Sequence, residues 1–245
     1  LPRAARPTPA ALPAPDWWAE GVEALLAAHG FDPGGVTLTP NPEPLDGLLR
    51  LILAQQNTWT VAQRQWDALK AAYPRWEAAL LSEPEEIEAV LRGAGGGLAR
   101  SKSRAIWGIL RRLEEERGQP SLRFLHRLSS AEARATLQAL PGVGQRTASL
   151  LLLFHLAQPA AAVDGNIERL LQRLEVVPPN WKADRQEQWL EGVLPPSAAF
   201  RAAFHRAGVR HGRDICTRKA PACSACVLRE WCPSAQFFMA ESLPE

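Results

Sequence analysis

The sequence predicts an all-α protein, and three observations carry that expectation. Apolar residues recur at the three- and four-residue spacing of a helix face through most of the chain. β-Branched alternation is rare, and one tyrosine in 245 residues leaves little strand-forming material. No segment repeats with a period of roughly 20 to 50 residues, which favours a compact bundle over a stacked solenoid.

Residues 1–15 carry five prolines and two arginines among small residues, a composition that sustains no helix, and they are expected to form a disordered arm. From Asp16 the pattern turns helical, with Val22, Leu25 and Leu26 forming a stripe that stops at Gly30. Pro33 to Pro44 reads as a connector. Leu45, Leu48, Leu49 and Ile52 then define a helix running toward the polar end Gln55, Gln56 and Asn57. The same spacing predicts helices near 60–72, 74–81, 84–92, 101–117, 130–139, 145–157, 166–174, 184–193 and 197–211.

The longest apolar run, Leu150 to Phe154, is far shorter than the roughly 20 residues that cross a bilayer, so no membrane span is expected. The N-terminus lacks a basic, apolar, small-residue signal pattern, and secretion has no support. All four cysteines lie in one C-terminal segment with none elsewhere to cross-link the fold, which fits a reducing, cytoplasmic setting. A net charge of +2 is too small to name a partner, so the distribution of charge has to decide.

Cys216, Cys223, Cys226 and Cys232 are spaced C-x6-C-x2-C-x5-C with no histidine between them. Such a loop suits a [4Fe-4S] cluster or a four-thiolate zinc site, with disulfides a distant third; only one C-x2-C pair is present, which favours iron-sulfur. Arg201, Arg206, Arg210, Arg213, Arg218 and Lys219 make this the most basic stretch of the chain, with Asp214 as its one acid. Phosphate contact is the natural use of that charge, a solvated helix face the plain alternative.

The run LPGVGQRTASLLL sets Pro141, Gly142, Val143 and Gly144 in a tight turn before an apolar helix. Unpaired N–H groups at a helix N-terminus suit a phosphate, although an ordinary interhelical turn would look similar. Downstream, AVDGNIERLLQRL puts Asp164 at the N-cap of a helix marked by Ile167, Leu170, Leu171 and Leu174. Most capping aspartates do nothing else.

Taken together, the cysteine loop with its ICTRKAPAC start, the hairpin and the VDGN segment resemble the endonuclease III and adenine DNA glycosylase superfamily over residues 45–232. That resemblance implies two helical domains flanking a DNA-binding cleft. A six-helix domain at 36–158 would carry the helix-hairpin-helix, and 16–35 with 159–238 would form the cluster domain. It implies a structural [4Fe-4S] cluster on the four cysteines, Asp164 as the catalytic carboxylate, and Arg146 facing it across the cleft. Arg218 and Lys219 would meet the DNA backbone with the hairpin. Gln55, within ILAQQNTW, matches the residue that fills the gap left by an everted base, and Gln56, Asn57 and Trp59 would border the base pocket. GLARSKSRAI resembles the loop that drives an apolar wedge into the base stack, here Leu98. For Trp59 and Leu98 a core position is the competing expectation.

Two departures narrow the activity. Where bifunctional endonuclease III has lysine before the Thr-Ala of the hairpin helix, this chain has Arg146, whose guanidinium stays charged and is a poor nucleophile. Where adenine glycosylases have a glutamate, it has Leu51, and little chain follows the cluster for a further lesion-reading domain. The expectation is a monofunctional DNA N-glycosylase, monomeric, acting on a damaged or mispaired base in double-stranded DNA. The rivals are a non-catalytic damaged-DNA-binding protein and a lyase using Lys102 or the N-terminus.

Overall fold

A computed structural model describes residues 12–240, and among them every regular element is helical. In order these are α1 (Trp18–Ala28), α2 (Leu45–Ala54), α3 (Trp59–Ala72), α4 (Trp76–Leu80), α5 (Pro84–Gly93), α6 (Ala99–Arg117), α7 (Ser130–Gln138), α8 (Gln145–His155), α9 (Gly165–Arg173), α10 (Ala183–Val193), α11 (Ala198–Asp214) and α12 (Pro233–Ala240). The spacing-based helices are present; α12, which follows the cysteine loop, was not expected, and α11 runs on to Asp214. No helix among the described residues is long and apolar enough to cross a membrane.

The helices fall into two units, one of residues 39–156 and one formed by the segments up to 38 and from 157 onward. In the first, α2 turns Leu45, Leu48, Leu49, Ile52 and Leu53 inward, α6 contributes Ile106, Ile109 and Leu110, and α8 contributes Leu151 to Leu153. Each such side chain stabilises the fold by about 1.5–3 kcal/mol on burial. Local chemistry sets the ends: Ser129 and Glu132 cap α7 reciprocally, and α6 stops at Gly118 in a left-handed conformation.

The second unit packs Val22, Leu25 and Leu26 of α1 against Ile167, Leu170 and Leu171 of α9, with Trp189 and Phe204 from α10 and α11. Tryptophans hold its edges. Trp18 meets Trp189 edge-on at 4.9 Å, while Trp17 stacks on Trp231 of the cysteine loop at 5.6 Å. Residues 1–11 of the expected N-terminal arm lie outside the described residues. Leu12 packs against this core, and its carbonyl accepts the Trp189 indole N–H at 3.0 Å.

Candidate functional site

The hairpin turn joins α7 to α8 in the 39–156 unit. Gly142 has φ +72, and a Cβ there would stand 2.7 Å from that of Ala105, so both backbone conformation and packing on α6 require glycine. Gly144 precedes α8 with no side-chain cap, leaving first-turn N–H groups available to an anion. Arg146 is exposed on that turn. Val143, expected among the DNA-contacting residues, is buried in the core, which leaves its side chain out of any such contact. Gln55, at the end of α2, donates from Nε2 to the Gly142 carbonyl and Thr147 Oγ1, both at 3.1 Å, and ties the two segments together.

Beyond Gln55 the chain turns through Gln56, which is exposed and left-handed at φ 52, into a polar network. Asn57 Nδ2 donates to the Leu53 carbonyl at 3.0 Å and to Gln65 Oε1 at 2.9 Å, and Asn57 Oδ1 accepts the Gly97 N–H at 3.1 Å. Gln65 Nε2 in turn donates to the Gly95 carbonyl at 2.7 Å. The amide expected to border a base pocket is therefore occupied in holding the glycine loop. That loop presents Leu98, left-handed at φ 63 and 44% exposed, at the start of α6. Trp59 is 68% exposed, so neither it nor Leu98 is a core residue. Lys102, by contrast, is 2% exposed; its ammonium donates to the Leu53 carbonyl at 2.8 Å, and burial lowers it to about 8. This amine closes the C-terminal end of α2 and is unavailable as a surface nucleophile.

Asp164 belongs to the second unit and caps α9. Its Oδ1 accepts the N–H groups of Asn166 and Ile167, each at 2.9 Å, and its Oδ2 accepts Asn166 Nδ2 at 2.7 Å. The carboxylate is half-buried and fixed by three donors. The extended segment that delivers it is gripped by side chains of α10 and α11. Arg201 donates to the Pro159 carbonyl, Glu191 accepts from Ala161 N–H at 3.1 Å, His205 meets the Ala162 carbonyl at 3.0 Å, and Glu187 accepts from Val163 N–H at 3.0 Å. None of these four holding roles was expected from sequence. Arg201, read with the phosphate-facing arginines, is 5% exposed and also donates to the Glu191, Leu194 and Pro195 carbonyls. It is a buried brace because its face of α11 meets backbone, whereas Arg206, Arg210, Arg213, Arg218 and Lys219 are exposed.

Cys216, Cys223, Cys226 and Cys232 are all free thiols, and all line one pocket with Leu170, Leu174 and Phe238. Burial raises Cys223, Cys226 and Cys232, Cys226 to about 11. Among the described residues no three His, Cys, Asp or Glu side chains converge as they would on a single metal ion. Arg173 Nη1 lies 3.2 Å from Cys216 Sγ and donates to the Thr217 carbonyl at 2.7 Å. Arg169 donates to the Cys216 and Gly212 carbonyls at 2.8 and 2.7 Å. Both arginines ride on α9, so the helix capped by Asp164 is fastened directly to the cysteine loop. On the other side His211 Nε2 stands 3.4 Å from Cys226 Sγ, and its Nδ1 is 3.0 Å from His29 Nε2. Burial, then His29, lowers His211 to about 4, which keeps its ring neutral at neutral pH.

A model of the HhH-GPD superfamily base excision DNA repair protein matches residues 49–196. The protein named "Putative DNA glycosylase At3g47830" of Arabidopsis thaliana is 36% identical over 164 residues, covering 66% of this chain. The chain spans 55% of that plant protein's length. Endonuclease III of Synechocystis sp. is 30% identical over 219 residues, which cover 87% of this chain and 92% of the relative. A solved structure of a trapped endonuclease III–DNA covalent intermediate, an estranged-adenine complex, aligns with TM-score 0.74 and 23% identity over 91% of this chain and 97% of its own.

Proposed function

Because the chain belongs to the HhH-GPD superfamily of base excision DNA repair proteins and is of the endonuclease III type, we propose that it is a monofunctional DNA N-glycosylase that hydrolyses the glycosidic bond of a damaged or mispaired base in duplex DNA. The observation that carries this reading is the Asp164 carboxylate, fixed by three donors at the end of an anchored segment. Cleavage of a glycosidic bond builds positive charge on the sugar, and an oriented carboxylate stabilises that charge and directs the attacking water. Rigidity serves this role, because the benefit is electrostatic and lost with small displacements.

The remaining parts take up the duplex. The uncapped start of α8 meets a phosphate, Leu98 enters the base stack, and Gln55 and Trp59 lie beside the everted nucleotide. Arg146 supplies positive charge and no Schiff-base amine. The Lys102 amine is committed to the Leu53 carbonyl. Arg218 and Lys219 project from the cysteine loop toward the backbone.

A [4Fe-4S] cluster on Cys216, Cys223, Cys226 and Cys232 is part of this proposal. Tetrahedral zinc needs four sulfurs at about 2.3 Å from one point, whereas cluster ligands bind separate irons and surround a larger volume. Four thiols that line one pocket fit the cluster, and the Arg173 guanidinium lies 3.2 Å from Cys216 Sγ. Its role is structural, holding the basic loop and α9 together. The native protein is expected to be brown with broad visible absorbance that Cys226→Ala removes; a colourless, zinc-replete protein would overturn the assignment.

The activity is tested by base-release chromatography on oxidised, alkylated and mismatched duplexes. Free base is expected from at least one substrate, with the strand intact and no protein–DNA adduct trapped by borohydride. An adduct lost on Arg146 substitution would disprove the monofunctional chemistry. No release from the whole panel, with an active glycosylase as control, would leave a protein that binds distorted DNA without repairing it.

A further inference from the structure

Between the first turns of α6 and the Pro141–Gly142 turn runs an open groove whose lining includes Leu98, Arg100, Ser101 and Arg104. Its walls are locked together. A Cβ on Gly142 would crowd the Ala105 side chain, and one on Gly108 would stand 3.1 Å from the Pro141 ring, so turn and helix pack closely along the groove. No acidic residue occurs between Glu88 and Glu114.

The basic residues in that acid-free stretch divide by what their side chains do. Arg92 pairs with Glu88, Arg111 with Glu115, and Arg112 with both Glu116 and the Ala139 carbonyl, while Lys102 is buried. Arg100 and Arg104 are exposed, and among the described residues their guanidinium groups have no hydrogen-bond or ion-pair partner. They lie four residues apart, hence on one face with Cβ atoms about 5–6 Å from each other, and both line the groove. Two uncompensated guanidinium groups above an apolar floor of Ala105 and Pro141 match a polymer of alternating phosphates and sugars.

We infer that this groove binds the sugar-phosphate backbone of duplex DNA, with Arg100 and Arg104 each contacting a phosphate beside the base step that Leu98 enters. The inference rests on the DNA-repair reading above and adds a second anchoring surface to the hairpin. Contacts of this kind position the protein without reading sequence.

The test uses the full chain and a short duplex bearing a tetrahydrofuran abasic-site analogue, with affinity measured across a range of salt concentrations. Each phosphate contact contributes about 0.9 to the slope of log affinity against log salt. The paired variant Arg100→Ala/Arg104→Ala is expected to lower the slope by roughly 2. Arg100→Lys/Arg104→Lys is expected to keep the parental slope, and both variants should melt at the parental temperature. A parental slope in the alanine pair, or equal loss in the lysine pair, overturns the inference. A parent chain without salt-dependent binding overturns the DNA reading itself, and this groove assignment with it.

Discussion

Replacing Arg201 by alanine is expected to destabilise the unit that carries Asp164 by about 3–5 kcal/mol, the range for breaking a buried charged network. The side chain is 5% exposed and donates to the carbonyls of Pro159, Glu191, Leu194 and Pro195. Alanine leaves those acceptors without their donor in a site where water has little access, and each lost charge-assisted bond costs about 1.5–3 kcal/mol before relaxation. Trp17, Trp18, Trp181, Trp189 and Trp231 belong to this unit and Trp59, Trp66, Trp76 and Trp107 to the other, so fluorescence during urea unfolding follows both, and the change is read as a shift of the transition. Arg213→Ala, which alters an exposed arginine on the same helix, should shift stability by no more than about 0.5 kcal/mol. Equal effects from the two variants would contradict the brace. Because Pro159 begins the segment that delivers the carboxylate, Arg201→Ala should also slow base release under conditions where the variant remains folded.

This arginine marks the boundary of what the sequence made legible. Helix positions followed from apolar spacing because each helix buries one face, and Asp164 was readable as a cap because caps depend on residues two and three positions away. The cysteine loop was readable for the same reason, its four thiols lying within one short segment. Arg201 and Arg213 are the same residue type on one helix, and which of them is buried depends on backbone from Pro159 and from the loop after α10. Likewise the Asn57–Gln65 network closes on Gly95 and Gly97, whose carbonyl and N–H carry no sequence signature. The inward side chain of Val143 was not legible, because a turn written L-P-G-V-G does not reveal which side chain packs into the core. Trp59 could not be sorted from eight other tryptophans by count; its place at the first turn of α3, outside the packed face, decided its exposure.

Single-turnover base release by Asp164→Asn tests most directly whether the carboxylate at position 164 performs the chemistry. Asparagine keeps the cap, since its Oδ1 can still accept from the N–H groups of Asn166 and Ile167. It removes the negative charge and leaves Asn166 Nδ2 without its carboxylate acceptor, a stability cost of roughly 1 kcal/mol. On any duplex from which the parent releases a base, the rate should fall by about 10²–10³-fold, with duplex affinity retained. Release at the parental rate by the folded asparagine variant would contradict the account.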